Sequence, residues 1–387
     1  MPLVANDRII RTGFAGVLAA ITLSVLLAPL GEPWRTATAA VLTVVLIALG
    51  SPHGALDHLV LAAGRTDDGP ARNGSAQNGT AQNGSVRGGT VRDGTVRDGT
   101  VLSSLRGLRP GFVVGYVGLA LASLAAYLLL PRLGFALFLV LSVAHFAAGE
   151  AGVAIERGLA RGWTDPLAWA ASLGGAVVVV LPLASREAGA ALAAVDPRLA
   201  PVLTPLPTLA VVVTVAAAAA LVGCVVAALR GRTAAGTVGT ELAALLALSV
   251  LAHPLLAFAA FFAFWHSLRH QARLAQVLRA GEDPAPRHAG RPLREVLDSA
   301  RAGVPATVGV LLGAGALALT GATLLGGLLA VIWALTVPHS AAVAVLEVRG
   351  ARARRTAEAR AEVGAALRSD GVGEPLAGPV STGPSAS

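Results

Sequence analysis

Long apolar stretches, separated by polar connections that carry most of the arginines, dominate this chain. Residues 110–131 and 209–229 each run for ~20 residues with almost no charge, and a helix of that length crosses the ~30 Å hydrocarbon core of a bilayer. The same pattern predicts spans at 13–30, 36–63, 110–131, 133–156, 165–185, 205–229, 238–270, 303–321 and 323–347. The chain is therefore predicted to be all-α, a polytopic transmembrane helical bundle of about 8–10 helices in the cell membrane.

Residues 65–109 interrupt the apolar pattern. Within them, residues 71–100 are six tandem pentapeptides such as AQNGT and VRDGT, with glycine in every unit. Such units offer no apolar surface to offset an ordering entropy of ~1–2 kcal/mol per residue, so we expect a disordered loop. We predict four parts: the first two helices at 1–64, this loop at 65–109, the remaining bundle at 110–347, and a disordered C-terminal tail at 348–387.

Composition agrees with a membrane protein and excludes an ordinary soluble enzyme. Hydrophobic residues make up 55% of the chain and charged residues 13%, about half the ~25% that is usual in soluble proteins. The net charge of +8 comes entirely from arginine, because the chain has no lysine. These arginines cluster beside the spans without a basic, aromatic-rich face, so they indicate topology and contact with the lipid bilayer, and no nucleic acid partner is expected. One cysteine, Cys224, excludes a disulfide framework.

The stretch 238–270 is too long for one span and holds the dipeptide His253-Pro254 near its middle. If it crosses once, some arginine-rich connections fall outside the cell, against the positive-inside rule. If it breaks at the proline, every basic connection is cytoplasmic. We therefore favour a broken helix, with the freed backbone buried in protein.

Histidines are concentrated in the apolar segments. Polar side chains inside spans are costly unless they face a partner or a cavity, so several imidazoles in one bundle favour a shared site. Six of the eight histidines lie within or at the ends of apolar segments, namely His53, His58, His145, His253, His266 and His339, and His270 ends the helix that carries His266.

The segment FWHSLRH, residues 264–270, gives the strongest local signal. His266 and His270 are four residues apart, and on a helix this spacing puts both rings on one face, about one turn apart. Two ligands of one metal ion require this arrangement. The alternative is an interfacial helix end at which Arg269 and His270 reach lipid headgroups.

The segment GSPHGALDHL, residues 50–59, repeats that spacing with His53 and Asp57. The Asp57 carboxylate is predicted to accept the proton of an imidazole whose other nitrogen holds a metal. His58 is turned ~140° from His53, so these two rings are not expected to chelate together. The alternative is a distorted helix with a satisfied buried pair.

Two further segments carry one histidine each. SVAHFAAGE, residues 142–150, has His145 in mid-span and Glu150 about a turn and a half later. LTVPHSAAV, residues 335–343, has His339 directly after a proline. Alone, His145 is open to interpretation as a ligand or as a helix-to-helix hydrogen bond, His339 as lining a cavity near the ligands, and His253 as structural.

The donor set limits the chemistry. A site made of imidazoles suits iron, copper or zinc, whereas magnesium and calcium prefer oxygen ligands. Three functions remain open on these residues: an oxygenase, a haem-binding membrane electron-transfer protein with two histidine ligands, and a proton-coupled transporter whose buried histidines relay protons.

Taken in order, the segments SPHGALDH, AHFAAGE, HPLLAFAAFFAFWHSLRH and TVPHS resemble the bacteriorhodopsin-related Brp/Blh family of membrane β-carotene 15,15'-dioxygenases. The family pattern reads roughly PHGAxD, HFGxxD, PPLxxFxxYFxxxHSxRH and TxPHM. The resemblance implies that O2 is inserted across the central double bond of β-carotene to give two molecules of all-trans-retinal. A functional link to a retinal-binding opsin would follow.

The resemblance also implies an Fe(2+) centre. Its implied ligands are His53, His145, His266 and His270. The residues expected around those ligands are Asp57, Glu150, His339 and His58. Aromatic residues before the ligand pair are candidates for a tunnel around the polyene: Phe258, Phe261, Phe262, Phe264 and Trp265.

Three departures from the family pattern leave these ligands in place. HFAAGE has Ala147 for the glycine and Glu150 for the aspartate, His253 replaces the first proline of the PP pair, and Ser340 replaces the methionine of TxPHM. Glutamate keeps the charge with a longer reach. The departures bear on the cleavage position and the substrate preference, because the shape of the tunnel decides which double bond meets the metal.

Overall fold

The computed structural model describes residues 6–31, 34–56, 110–279 and 292–369, and within these ranges every regular element is helical. The α-helices are α1 (Asp7–Leu27), α2 (Trp34–Gly50), α3 (Pro110–Leu129), α4 (Pro131–Glu156), α5 (Pro166–Leu183), α6 (Ala188–Val195), α7 (Leu206–Leu229), α8 (Thr233–Leu251), α9 (Pro254–Ala260), α10 (Leu268–Arg279), α11 (Pro292–Leu319) and α12 (Leu324–Ser369). Two 3-10 segments, Ser51–Leu56 and Pro197–Leu203, and a π-helix, Phe261–Ser267, complete the set.

Among the described residues, six helices are long and apolar enough to cross a membrane. They are α1, α4, α5, α7, α8 and the Leu324–Val345 part of α12. Helix α7 shows which side of the bundle would face lipid. It has no charged residue, and its apolar side chains Val211, Val215 and Val222 are exposed on the surface of the bundle. The prediction of an all-α polytopic transmembrane bundle is confirmed.

The chain divides into two compact units, Met1–Ser340 and Ala341–Ser387. The first contains every described residue of the candidate site. In the second, the structure describes the continuation of α12 to Ser369. The predicted repeat loop at 65–109, like Asp57, His58 and His288, lies outside the described residues, so the proposed four-part organisation stays a prediction.

The predicted break in the stretch 238–270 is confirmed. α8 ends at Leu251 and α9 begins at Pro254. The backbone N–H of His253 donates to the Ser24 hydroxyl of α1 at 3.1 Å, and the His253 Nε2 lies 3.4 Å from the Thr36 hydroxyl. Pro254 cannot continue α8, so the helix ends before it. The backbone N–H of His253, which the break leaves without a helical partner, is satisfied by Ser24 of α1.

Other boundaries differ from the sequence pattern. The second predicted span, 36–63, is α2 only to Gly50, because Pro52 and Gly54 favour the 3-10 turn that follows. Helix α12 continues to Ser369, well past the apolar pattern, since its alanine, glutamate and arginine residues have high helix propensity. The short helix α6 and the 3-10 segment after it had no apolar pattern of spanning length to predict them.

The connection between α4 and α5 is held by a cap outside the spans. Asp165 accepts hydrogen bonds from the backbone N–H groups of Arg161 and Leu167, both at 2.9 Å, and pairs with Arg232. Burial raises the pKa of Asp165, but these hydrogen bonds and the arginine outweigh it and lower the pKa to about 2. The carboxylate thus fixes the start of α5 beside α4.

Candidate metal centre

Three histidines from separate helices meet inside the bundle. His145 comes from α4, His266 from the π-helix and His339 from α12, and each offers a ring nitrogen within 4.8 Å of the other two. The Nε2 atoms of His145 and His266 are 3.2 Å apart. The His145 ring centroid lies 5.0 Å from those of both other rings.

This geometry fits one transition-metal ion. Two imidazole nitrogens bound at ~2.1 Å and at right angles to one another lie ~3.0 Å apart. The 3.2 Å separation of His145 and His266 is close to that value. The 4.8 Å limit for all three nitrogens requires only a small closure, and His266 and His339 are buried while His145 is half-buried. The donors are neutral imidazoles, which suit iron, copper or zinc.

His270 lies at the edge of this cluster. Its ring stacks on His266 at 6.0 Å with an interplanar angle of 13°, and its centroid is 5.4 Å from that of His339. The predicted one-face arrangement of His266 and His270 is therefore present. The two parallel rings face the same region of the bundle as His339.

The 3-10 segment Ser51–Leu56 brings the His53 backbone to the same region. A Cβ on Gly54 would lie 3.6 Å from the His339 Nδ1, so the residue after His53 borders the cluster. The segment is anchored there because the Ser267 hydroxyl donates to the Gly50 carbonyl at 2.9 Å. The side chain of His53 lies outside the described part of the structure, and its role as a ligand stays a prediction.

The π-helix was not predicted from the sequence. Its wider turns run from Phe261 to Ser267 and therefore include His266. Phe146 packs edge-on against the His266 ring at 4.7 Å, and a Cβ on Gly149 would lie 3.6 Å from that ring. π-helical turns are rare and occur often at functional sites, where they change the direction of the side chains that follow.

Four buried charges form a chain beside the histidines. The Arg269 guanidinium donates from Nη1 to Glu150 at 2.8 Å, and its Nη2 lies 3.2 Å from Glu241. Arg157 pairs with the other oxygen of Glu241. The Trp265 indole N–H donates to Glu150 at 3.1 Å, and Arg269 stacks over the Trp265 ring at 4.0 Å. Glu150 thus contacts Arg269 and Trp265.

An apolar cavity, lined by none of the described histidines, lies in the bundle along the helices that carry His145 and His339. It is about 90 Å³ and lies between α2, α4, α5, α6, α9 and α12. Ser142, three residues before His145, and Ile332, seven before His339, line it on the same helix faces as the histidines. At 1.5 Å per residue, Ile332 lies ~10 Å and Leu328 ~16 Å before His339 along α12, so the cavity lies toward the start of α12 from the histidines.

The predicted tunnel aromatics take different positions. Phe258 lines the cavity, and Phe262 stacks on it at 6.3 Å. Phe261 is fully buried beside Phe146 and His266. Phe264 packs where α1 has Gly16, and Trp265 belongs to the buried charge chain.

Sequence reasoning did not single out Arg157 or Glu241. It placed His339 around the ligands, and the structure brings a ring nitrogen of His339 within 4.8 Å of those of His145 and His266. The position of His339 depends on how α12 packs against the other helices, which the segment LTVPHSAAV alone cannot reveal. Glu241 did carry a signal, because a carboxylate inside an apolar span is costly without a partner.

Comparison with known proteins gave one family match. Residues 106–347 match the model of a family described as beta-carotene 15,15'-dioxygenase, which covers more than half of the chain. No curated protein and no solved structure gave a significant match.

Proposed function

The chain belongs to the beta-carotene 15,15'-dioxygenase family, and on this premise we propose that it cleaves β-carotene with O2 at the central double bond. The products are two molecules of all-trans-retinal, each of which receives one oxygen atom. The observation that carries the proposal is the convergence of His145, His266 and His339 inside a membrane bundle that also holds an apolar cavity along the same helices.

We propose Fe(2+) as the metal. His145, His266 and His339 would hold it, with His270 as a further ligand at the edge of the cluster and His53 as one from the adjacent 3-10 segment. When bound, ferrous iron supplies the one-electron chemistry that makes O2 reactive toward an alkene. Neutral ligands leave the positive charge of the ion uncancelled, and these imidazoles are the donors that the site offers.

The protein's own residues would bind and align the substrate. β-Carotene is a hydrocarbon that partitions into lipid, so it can enter between helices without crossing water. One half of the polyene would follow the cavity wall past Ser142 and Phe258 toward Leu328, which leaves the middle of the molecule beside the histidines. The cavity is smaller than a carotenoid, so the surrounding side chains must move apart on binding.

The walls of the site would also exclude water. Phe146 and Phe261 pack against the His266 ring and are buried. Their apolar surfaces would keep water from the cleaved ends of the polyene and so suppress side reactions. Glu150 would orient the π-helix through Trp265 and Arg269, on a flank of the helix that also carries His266.

The alternatives fit the geometry less well. Two axial histidines of a haem must leave the porphyrin plane between them, and the 3.2 Å separation of His145 and His266 leaves no such gap. A proton-relaying transporter would not need three ring nitrogens close enough to bind one metal ion.

We further propose that the retinal serves a rhodopsin in the same cell membrane.

Expression in a β-carotene-producing bacterium tests the function. Pigment extracts should lose carotene and gain all-trans-retinal on chromatography, and the His266→Ala variant should accumulate carotene while still reaching the membrane. Intact carotene beside well-expressed, iron-loaded protein would contradict the proposal. An apocarotenal of another length would instead refute central cleavage.

A further inference from the structure

We propose that the buried pair of Arg157 and Glu241 is a positioning device for the metal centre. It holds the Arg269 guanidinium and so sets the rotation of the helix that carries His266 and His270. The inference rests on the proposed function, because it concerns the histidines that would bind the metal. Neither Arg157 nor Glu241 contacts the cavity.

The four charges alternate in sign along one path. Arg157 from the end of α4 pairs with Glu241 of α8, Glu241 pairs with Arg269 of α10, and Arg269 pairs with Glu150 of α4. The side chains of Arg157 and Arg269 are 7% and 6% exposed and that of Glu241 is 13% exposed, so water screens these pairs much less than it screens surface pairs. Three helices are thereby joined through the two arms of one guanidinium.

The Arg269 guanidinium belongs to the short stretch of helix that sets the directions of the His266 and His270 rings. Arg269 lies between His266 and His270 in the sequence, on a flank of the helix ~60° from His266. The π-helix that precedes Arg269 contains about one residue more than an α-helix of the same length. If this segment became α-helical, the residues after it would turn by ~100° about the helix axis. A contact that fixes Arg269 therefore fixes the direction of the His270 ring.

Stability alone does not explain the pair. Burying an ion costs several kcal/mol of desolvation, and apolar side chains of similar size often stabilise a protein as well or better. Buried ion pairs do fix geometry, because hydrogen bonds between charged groups are short and directional. The guanidinium fork of Arg269, which bridges Glu150 through one arm and Glu241 through the other, has this property.

Cobalt(II) binding to the purified full-length protein tests the inference. In the double variant Arg157→Leu/Glu241→Leu, apolar side chains replace both charges, so no unpaired ion is left on Arg157 or Glu241. We expect Co(II) to bind about 10- to 100-fold more weakly, as loss of contacts behind metal ligands commonly does. The visible absorption spectrum of the bound ion should change as well, because the ring directions change.

A control uses another ion pair, which joins α10 to α4 without involving Arg269. Arg273 of α10 and Glu156 of α4 form a partly exposed pair in which Nε and Nη2 of the guanidinium contact both carboxylate oxygens, and neither residue pairs with Arg157 or Glu241. The double variant Arg273→Gln/Glu156→Gln should bind Co(II) with wild-type affinity and spectrum. Arg269→Lys, which keeps the charge but loses the fork, should lie between the wild type and the Leu/Leu variant.

The outcomes separate the two proposals. Wild-type protein that binds neither Co(II) nor Fe(2+) would refute the metal centre itself. Wild-type protein that binds Co(II), beside a Leu/Leu variant with the same affinity and spectrum, would overturn only the positioning role. If the Leu/Leu variant does not fold, Glu241→Gln retains the size of the side chain, and an unchanged affinity and spectrum there would equally refute the inference.

Discussion

The close approach of α4 and α5 at Gly175 predicts that one added methyl group will disturb the metal centre. A Cβ at Gly175 would lie 2.7 Å from the carbonyl carbon of Phe146 and nearer still to the backbone nitrogen of Ala147. Both atoms belong to the backbone of α4 immediately after His145. Neither can move away unless the helix moves with it.

The size of the effect follows from these distances. The 2.7 Å contact falls short of the 3.4 Å at which ordinary contact begins by ~0.7 Å, and overpacking of this kind costs about 1–3 kcal/mol. His145 moves with α4, so its Nε2 leaves the 3.2 Å separation from that of His266. Because a displacement of ~1 Å can cost about 10²-fold in rate, we expect Gly175→Ala to lower turnover about 10- to 100-fold.

The assay is the initial rate of retinal formation by detergent-solubilised protein, with iron content measured on the same folded fraction. Gly223→Ala is the matched control, because a Cβ there meets nothing within 4 Å and alanine favours the helix. It should retain the wild-type rate. A Gly175→Ala enzyme with wild-type rate and iron content would refute the reasoning from helix spacing to ligand geometry.

Three further predictions use other parts of the site. His339→Ala should lose bound iron on equilibrium dialysis, because it removes one of the converging nitrogens; retention of one iron per chain would exclude His339 as a ligand. Leu328→Trp should fill the cavity and abolish carotene cleavage while iron binding persists, and unchanged cleavage would show that the polyene lies elsewhere. The pKa of Asp165 is lowered from 3.8 to about 2, so its stabilisation is complete above pH 3.8 and is lost as the pH falls toward 2. Asp165→Asn should therefore melt lower than wild type at neutral pH, with a difference that shrinks over this range; a constant difference would contradict the assignment.

The span pattern was readable from the sequence because hydrocarbon imposes a length and an absence of charge on each helix. The break at His253-Pro254 was readable for a similar reason, since proline removes a backbone donor and the arginine distribution required an extra turn. Helix ends that depend on helix propensity were harder to predict from the sequence. The continuation of α12 to Ser369, for example, is not marked by apolar residues.

The site was only partly readable. Spacing alone puts His266 and His270 on one helix face, and both rings do face one region. The π-helix and the position of His339 depend on packing between helices distant in sequence, which no local pattern records. The pairing of Glu241 with two arginines is of the same kind: a buried carboxylate indicates that a partner exists but not which residue it is.

X-ray absorption at the iron edge of the purified, iron-loaded protein is the most direct test of a histidine metal centre in this bundle. We predict one iron per chain, at least three imidazole nitrogens at ~2.1 Å from it, and fewer nitrogen neighbours in His339→Ala. An iron atom surrounded by oxygen ligands alone, or a spectrum that is unchanged when His145, His266 and His339 are replaced one at a time, would contradict it.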